Sequence, residues 1–413
     1  MIIINNMNGK TLQRRVASTL DELLGIMPAV VVTGARQAGK STLAQKLTSE
    51  PRRFITLDDL DTRELAESDP EALVGGPEPI TIDEVQRVPD LLNAVKLDID
   101  MNRRAGKFLL TGSANLLLMK QVSESLAGRA SYLTLWPMTR REQLGIGSTG
   151  VWDGLIDGRD EDWPEIVAEQ PAKREDWREL ALRGGFPLPT LELRTPRQRL
   201  IWFEGYVRTY LERDLLELSR ISALPDFRRL MRASSLRIGS VVNQTEIGRD
   251  LAMSQPTVGR YLNVLETSYL IVRVNAYAVN RTKRLIKSPK LYWGDTGVAL
   301  HLAEIPDPDG VHLENLVLND LLAWRDARLE TAGIFFWRTS TGEEVDFVIE
   351  TGNRLLPIEV KATTRPRLRD ARHLRTFRKE YGEKSRYGLL LHGGDTTEWL
   401  TSDVLAVPWW SVL

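Results

Sequence analysis

One string of eight residues limits this chain more than any other. It is GARQAGKS at residues 34–41, preceded by the apolar VVVT and followed by the helix-forming TLAQKL. The spacing is G-x-x-x-x-G-K-[ST]. Gly34 and Gly39 accept backbone angles closed to other residues, so the loop can curl with its N–H groups pointing inward. The start of the next helix adds further free N–H groups. A turn of this kind is built for phosphate. Gly34, Ala35, Arg36, Gln37, Ala38 and Gly39 would wrap the anion, with Lys40 neutralising β- and γ-phosphate charge. Ser41 would offer its hydroxyl to magnesium, and Thr42 is counted with the loop. The expected ligands are therefore ATP and Mg2+, on an α/β fold with a P-loop NTPase parallel sheet.

The first 145 residues support that sheet. Short apolar runs at 30–33, 54–58, 80–83, 108–111 and 132–135 alternate with helical patterns, the rhythm of parallel strands with helices on both faces. ITIDE at 80–84 is an apolar strand ending in two acids. Asp83 would hold magnesium, directly or through water, and Glu84 would polarise the attacking water. FLLTGS at 108–113 is another strand with a small polar end. Ser113 could reach the γ-phosphate or the water, though a capped turn explains it equally. Arg129, in SLAGRA, is placed either to stabilise transition-state charge in a neighbouring subunit of a homo-oligomer or to lie on the surface.

Composition narrows the chemistry. There is no cysteine, and the four histidines, 301, 312, 373 and 392, do not pair at metal-ligand spacing. A metal here would be a hard cation on carboxylate oxygens. No apolar run approaches the roughly 18 residues of a membrane span, so no membrane partner and a cytoplasmic location are expected. The formal net charge of −1 conceals two basic runs, 281–290 and 365–379. Either could face nucleic acid or be a solvated helix surface.

A length of 413 residues suggests two or three domains. From 145 to about 177 the text is rich in Gly, Asp, Glu and Trp and reads as an irregular linker, within a helical region over 146–235. TEIGRDLAMSQPTVGRYLNVLETSYLIVRV at 245–274 has the pattern of a winged helix-turn-helix. Ile247 and Leu251 stripe one helix, Ser254 and Pro256 open the next, and Val258, Leu262 and Leu265 bury it. Gln255, Thr257 and Arg260 would face DNA, although such modules also dock proteins. After residue 289 comes a helix carrying Glu314, three strands near 335–338, 345–349 and 355–360, a helix near 370–380 and a strand at 388–392. That order matches a restriction-endonuclease-like α/β domain. Asp346 interrupts an apolar strand, and Glu359 and Lys361 share one face of the next. Glu314, Asp346 and Glu359 could hold magnesium, with Lys361 orienting water for phosphodiester cleavage. The alternatives are a non-cleaving version of the fold, or Lys361 in a structural salt bridge.

Together, TGARQAGKST, ITIDEVQ, LLTGSAN, SLAGR, PKLYWGDTG, EVDFVI and IEVKA resemble a family of bacterial and archaeal AAA-type ATPases with a C-terminal domain of unknown function. The resemblance covers nearly the whole chain. It implies an ATPase domain over 1–145, a winged helix over 236–288 and a PD-(D/E)XK-like domain over 289–413. It also implies nucleotide residues Lys40, Ser41, Asp83 and Glu84 and a nuclease motif of Glu314, Asp346, Glu359 and Lys361. Val345 stands where that motif has proline. The expectation is an ATPase that couples nucleotide state to DNA binding or processing; the alternative is a nucleotide-dependent switch or DNA-binding regulator.

Overall fold

The computed structural model describes residues 12–112, 125–146, 150–170, 173–209 and 223–413. The chain divides into two compact units. The first takes Met1–Met138, Phe186–Leu224 and Leu262–Leu270; the second takes Thr139–Gly185, Pro225–Tyr261 and Ile271–Leu413.

The first unit is built on five strands: β1 (Ala29–Thr33), β2 (Arg53–Thr56), β3 (Ile80–Asp83), β4 (Phe108–Thr111) and β5 (Ala130–Thr134). They pair in parallel in the order β2-β3-β4-β1-β5. Every residue of β1, β3 and β4 is buried, as expected of strands covered on both faces. One layer of core joins Val31, Ile82 and Leu110 to Leu91, Leu92, Val95 and Ile99 of the helix Leu91–Met101. The strand expected over 54–58 stops at Thr56. Asp59 caps the following helix by accepting from the Thr62 N–H at 2.8 Å, and this turns the chain out of the sheet early.

The second unit carries a six-stranded mixed sheet. Ahead of it, β6 (Ile271–Val274) and β7 (Lys290–Trp293) form an antiparallel pair, and Val241 makes a further antiparallel bridge to Lys290. The larger sheet contains β8 (Ala332–Arg338), β9 (Glu344–Thr351), β10 (Arg354–Lys361), β11 (Gly388–His392), β12 (Glu398–Thr401) and β13 (Val404–Pro408), ordered β12-β13-β11-β10-β9-β8. Strands β8, β9 and β10 are an antiparallel meander. β11 then pairs with β10 in parallel, after a crossover through the helix Arg372–Tyr381, whose Leu374 and Phe377 pack on Val345, Val348 and Leu390. Strands β12 and β13 extend the sheet beyond the elements read from the sequence.

The stretch read as an irregular linker is a correction. It forms the helices Trp152–Asp157 and Trp163–Ala168. Its glycines and acids conceal a helical apolar set: Trp152, Leu155, Ile156, Trp163 and Val167 are all buried. Both indole N–H groups find acceptors, Trp152 on Asp320 at 2.6 Å and Trp163 on the Leu155 carbonyl at 3.0 Å.

One side chain of the helix Gly310–Asp326 grips the backbone of β7. Asn315, fully buried, accepts from the Trp293 N–H at 2.9 Å and donates to the Trp293 carbonyl at 2.7 Å. Asn315→Ala would leave both backbone groups without that partner. We expect a loss of about 2–4 kcal/mol in chemical denaturation followed by tryptophan fluorescence. A loss below about 0.5 kcal/mol would show the clamp to be redundant.

Candidate functional site: a phosphate loop and an acid cluster

The loop after β1 is shaped by glycine where no other residue fits. Gly34 has φ of 139°, and a Cβ there would lie 2.2 Å from the Leu135 carbonyl oxygen. Gly39 has φ of 101° and precedes the helix Lys40–Lys46. Because β1 lies between β4 and β5, the loop opens at the carboxyl ends of the strands, where parallel α/β sheets bind ligands.

Lys40 is buried, and its ammonium donates to the loop's own carbonyls, Gly34 at 3.1 Å and Ala35 at 2.9 Å. Burial lowers its pKa to about 8, against the pull of Glu84 and Asp83, while Arg36 lowers it further. The Ser41 hydroxyl donates to Asp83 Oδ1 at 2.9 Å, and the buried Thr111 hydroxyl donates to the same oxygen. Glu84 follows directly in the left-handed region, φ 58° and ψ 42°. Such a conformation is uncommon for a residue with a side chain and worth of order 1 kcal/mol in strain. Burial raises the pKa of the Glu84 carboxyl, and the Gln86 amide donates to it. A carboxyl shifted upward beside a phosphate loop is suited to taking a proton from water.

Three contributors escaped the sequence reading. Buried Arg14 donates to the Ala38 carbonyl at 2.9 Å and to the Trp136 carbonyl at 2.6 Å, bracing the loop against the chain after β5. The Tyr206 hydroxyl donates to the Arg36 carbonyl at 3.3 Å. Thr33 meets the Tyr269 hydroxyl at 2.8 Å. These partners are 122, 170 and 236 positions apart, and no local pattern signals them. Ser113 lies outside the described residues. Arg129 is engaged within its own unit, holding Asp100 through Nε at 2.6 Å and Nη2 at 2.9 Å.

In the second unit Glu314, Asp346, Glu359 and Lys361 fall in one neighbourhood. Asp346 lies one step beyond the last paired residues of β9 and β10, Phe347 and Ile358, and its Oδ2 accepts from the Val360 N–H at 2.8 Å. Lys361 pairs with Glu359 Oε1 at 2.5 Å, and Glu359 Oε2 is buried with no hydrogen-bond partner among the described residues. The unforeseen members are Lys290 and Tyr292, which share a face of β7. The buried Lys290 ammonium lies 3.2 Å from Glu314 Oε1 and 3.9 Å from Asp346 Oδ1, and it also contacts Glu344. The Tyr292 hydroxyl donates to Glu314.

The electrostatics follow from this packing. Burial alone would lower the Lys290 pKa, but Glu314, Asp346 and Glu344 outweigh it and hold the ammonium charged above its ordinary range. Burial, then Asp346, raise Glu314 to about 7, against the pull of Lys290. The same two causes push Glu359 well up. The cluster thus places two ammonium groups, Lys290 and Lys361, among carboxyls whose ionisation burial opposes. The donor set expected for magnesium does not fit as it stands: Lys290 fills the cationic position. Among the described residues no three His, Asp or Glu side chains are arranged to hold a metal ion.

Comparison with known proteins accords with this layout. Residues 27–144 match the family described as an AAA domain. Residues 174–309 and 309–412 match two domains of unknown function, DUF8612 and DUF4143. Uncharacterised proteins of Mycobacterium tuberculosis and Mycobacterium bovis are each 32% identical over 365 residues, 86% of this chain and 75% of theirs. The chain belongs to their family. Its front part is an AAA-type P-loop ATPase domain and its C-terminal part a DUF4143 domain. An uncharacterised Haemophilus influenzae protein is 20% identical over 356 residues, 80% of this chain and 81% of that protein. Among solved structures, a Walker-type ATPase of Pyrococcus abyssi is 17% identical, with a TM-score of 0.46 over 73% of this chain and 99% of that one. AMPPCP-bound DnaA of Aquifex aeolicus is 17% identical, with a TM-score of 0.26 over 61% and 85%. No helix among the described residues is long and apolar enough to cross a membrane.

The lowered pKa of Lys40 gives the loop a pH signature. Above about pH 8 the nucleotide-free protein loses the ammonium proton and must take one up to meet phosphate with a charged lysine. Affinity is then full below that value and falls as pH rises through it, by up to about tenfold per pH unit. Titration with a fluorescent ATP analogue at about pH 7 and about pH 9 measures this. Lys40→Met should bind weakly at both values, and a flat wild-type profile would remove Lys40 from the phosphate contact.

Proposed function

We propose that this protein hydrolyses ATP at the loop of the first unit and uses its nucleotide state to govern contact with DNA. One observation carries the first half. Lys40, Ser41, Asp83 and Glu84, four residues from two segments, converge beside a curled loop: Ser41 touches Asp83, and Lys40 is under the electrostatic influence of both acids. The Ser41 hydroxyl and the Asp83 carboxylate are hard oxygen donors 2.9 Å apart and fit magnesium, whose other positions would go to phosphate and water. When bound, the ion neutralises charge on the β- and γ-phosphate oxygens. Lys40 would leave the Gly34 and Ala35 carbonyls for phosphate. Glu84, kept less acidic by burial, would orient the attacking water and accept its proton. Arg129 acting from a neighbouring subunit would first have to release Asp100.

The DNA half is supported by element order in the middle of the chain. The helices Leu224–Ser235, Gln244–Leu251 and Gln255–Thr267 precede the β6–β7 pair, to which Val241 is bridged. That succession suits a winged helix. Asn243 caps the second helix and Ser254 accepts from the Thr257 N–H to open the third. Gln255 and Arg260 are exposed on it, and the Arg260 guanidinium lies over the Tyr261 ring. Of the basic run, Arg281, Lys283 and Lys287 are exposed, while Arg284 is buried in a two-pronged pair with Glu350.

The helix–meander–crossover order around Glu314, Asp346, Glu359 and Lys361 suits a nuclease-like fold. The Lys290 contacts favour the version that does not cleave, because an internal ammonium already neutralises part of the charge on Glu314 and Asp346 that a metal would need.

Two outcomes test these readings. Glu84→Gln should bind ATP within a few-fold of wild type yet lose about 100-fold or more in phosphate release. Lys40→Ala should lose both; normal turnover in Lys40→Ala would overturn the assignment. Plasmid incubated with the wild-type protein, ATP and magnesium should stay intact while phosphate is released. Nicking that disappears in Asp346→Ala, with ATPase activity kept, would restore the nuclease reading.

A further inference from the structure

Where β10 leaves the larger sheet at Lys361, the chain forms a strap over residues 361–372 before the helix Arg372–Tyr381. Its sequence, KATTRPRLRDAR, has five cations against Asp370 alone, and no aromatic residue. Arg365, Arg367, Arg369 and Arg372 are exposed. The single acid is committed to the fold of the strap itself: Asp370 Oδ2 accepts from the Arg367 N–H at 2.7 Å, and its nearest cation is its neighbour Arg369 at 3.8 Å. Arg365, Arg367 and Arg372 have no acidic partner within ion-pair distance among the described residues. Four exposed guanidinium groups between Arg365 and Arg372 make this a positive surface that attracts anions.

The strap is also fixed in place. The Gly393 N–H donates to the Thr363 carbonyl at 2.9 Å. A Cβ at Gly394 would lie 2.1 Å from the Thr364 carbonyl oxygen, and one at Gly393 would lie 2.9 Å from that of Ala362. Two successive glycines after β11 therefore let the strap backbone lie directly on that turn. The Gly394 N–H is itself held by His392 Nδ1 at 3.0 Å. Between strap and strand end lies a cavity of about 260 Å³, lined by Lys361, Thr363, Arg365, Arg367 and Arg369 with Asp370 at one side. A cationic loop pinned before its ligand arrives loses little conformational entropy on binding.

We propose that this strap is a resting surface for the phosphodiester backbone of DNA, with a phosphate seated in the cavity beside Lys361. The proposal rests on the DNA reading above and places a second contact apart from Arg260. Guanidinium groups match phosphate oxygens in pairs. The lack of an aromatic side chain leaves no platform for base stacking, so the contact carries charge and no sequence preference. It does not require cleavage: Lys361 stays paired with Glu359, and the strap holds a strand without cutting it.

The test uses the full chain and fluorescence anisotropy with mixed-sequence single-stranded and duplex DNA over a range of salt concentrations. The triple variant Arg365→Ser, Arg367→Ser, Arg369→Ser alters exposed side chains only and should keep wild-type ATPase activity and melting temperature. It should lose tenfold or more in affinity at low salt, and the slope of log affinity against log salt should fall by about 2–3, near 0.9 per lost phosphate contact. The matching triple lysine variant should recover much of the binding. Arg260→Ala is the control for the third helix. If Arg260→Ala abolishes binding while the serine variant equals wild type in affinity and slope, the strap is overturned and the DNA reading stands. If the wild type binds neither DNA, both fall. Inorganic polyphosphate held through these arginines when neither DNA binds would overturn the nucleic-acid partner.

Discussion

The first unit depends on what the carboxylate of Asp83 receives. One oxygen accepts hydroxyls from Ser41, at the head of the loop helix, and from Thr111, at the end of β4. A buried carboxylate accepting donors from two other segments is a strong fastener, because losing either would leave a charged acceptor short of partners in a low-dielectric setting. It aligns the ends of β3 and β4 with the loop that follows β1. The next residue, Glu84, then leaves the sheet in a left-handed turn. Lys40 and Ser41 at the head of the loop helix, the end of β4 and Glu84 are thus tied together around a single side chain.

Glycine does the complementary work. At Gly34 the loop passes the Leu135 carbonyl so closely that any side chain would collide with backbone, which cannot swing aside. Arg14 braces the same region with two backbone carbonyls as acceptors. The loop is therefore held open by covalent economy on one side and by a buried guanidinium on the other, before any ligand contributes. A backbone curl fixed in advance suits a phosphate site, since the turn itself need not form when an anion arrives.

How much of this was legible depended on range. The sheet of the first unit was readable because β1, β3 and β4 are continuous apolar runs and the loop motif is contiguous. The order of helix, three strands, helix and strand around Glu314 was readable for the same reason. What the sequence withheld was encoded across distance. Arg14, Tyr206 and Tyr269 reach the loop and β1 from segments whose own patterns give no sign of these contacts. The helices at Trp152 and Trp163 were hidden because Gly154, Gly158 and a run of acids dilute an apolar set that only burial makes visible. Lys290 was noted as one cation of a basic run, yet its fate was set by alternation: with Tyr292 it occupies the inward face of β7, whereas Lys283 and Lys287 remain exposed.

Lys40 and Lys290 make the physical distinction plain. Both are buried lysines in acid-containing surroundings, and burial disfavours the charge on both. Among the described residues Lys40 donates to carbonyl oxygens, its acids act from a distance, and its pKa falls to about 8. It holds a charge the fold does not fully compensate, so an arriving phosphate gains by completing it. Lys290 contacts Glu314 and Glu344 directly and lies near Asp346, and its pKa rises. It has its counter-ions already, and removing it would leave carboxylates buried without compensation, at several kcal/mol. The direction of the shift separates a lysine kept for a ligand from one that stands in for a ligand. By that criterion the lysine of the first unit is left open to an anion, whereas the acid cluster of the second already contains one internal cation in Lys290.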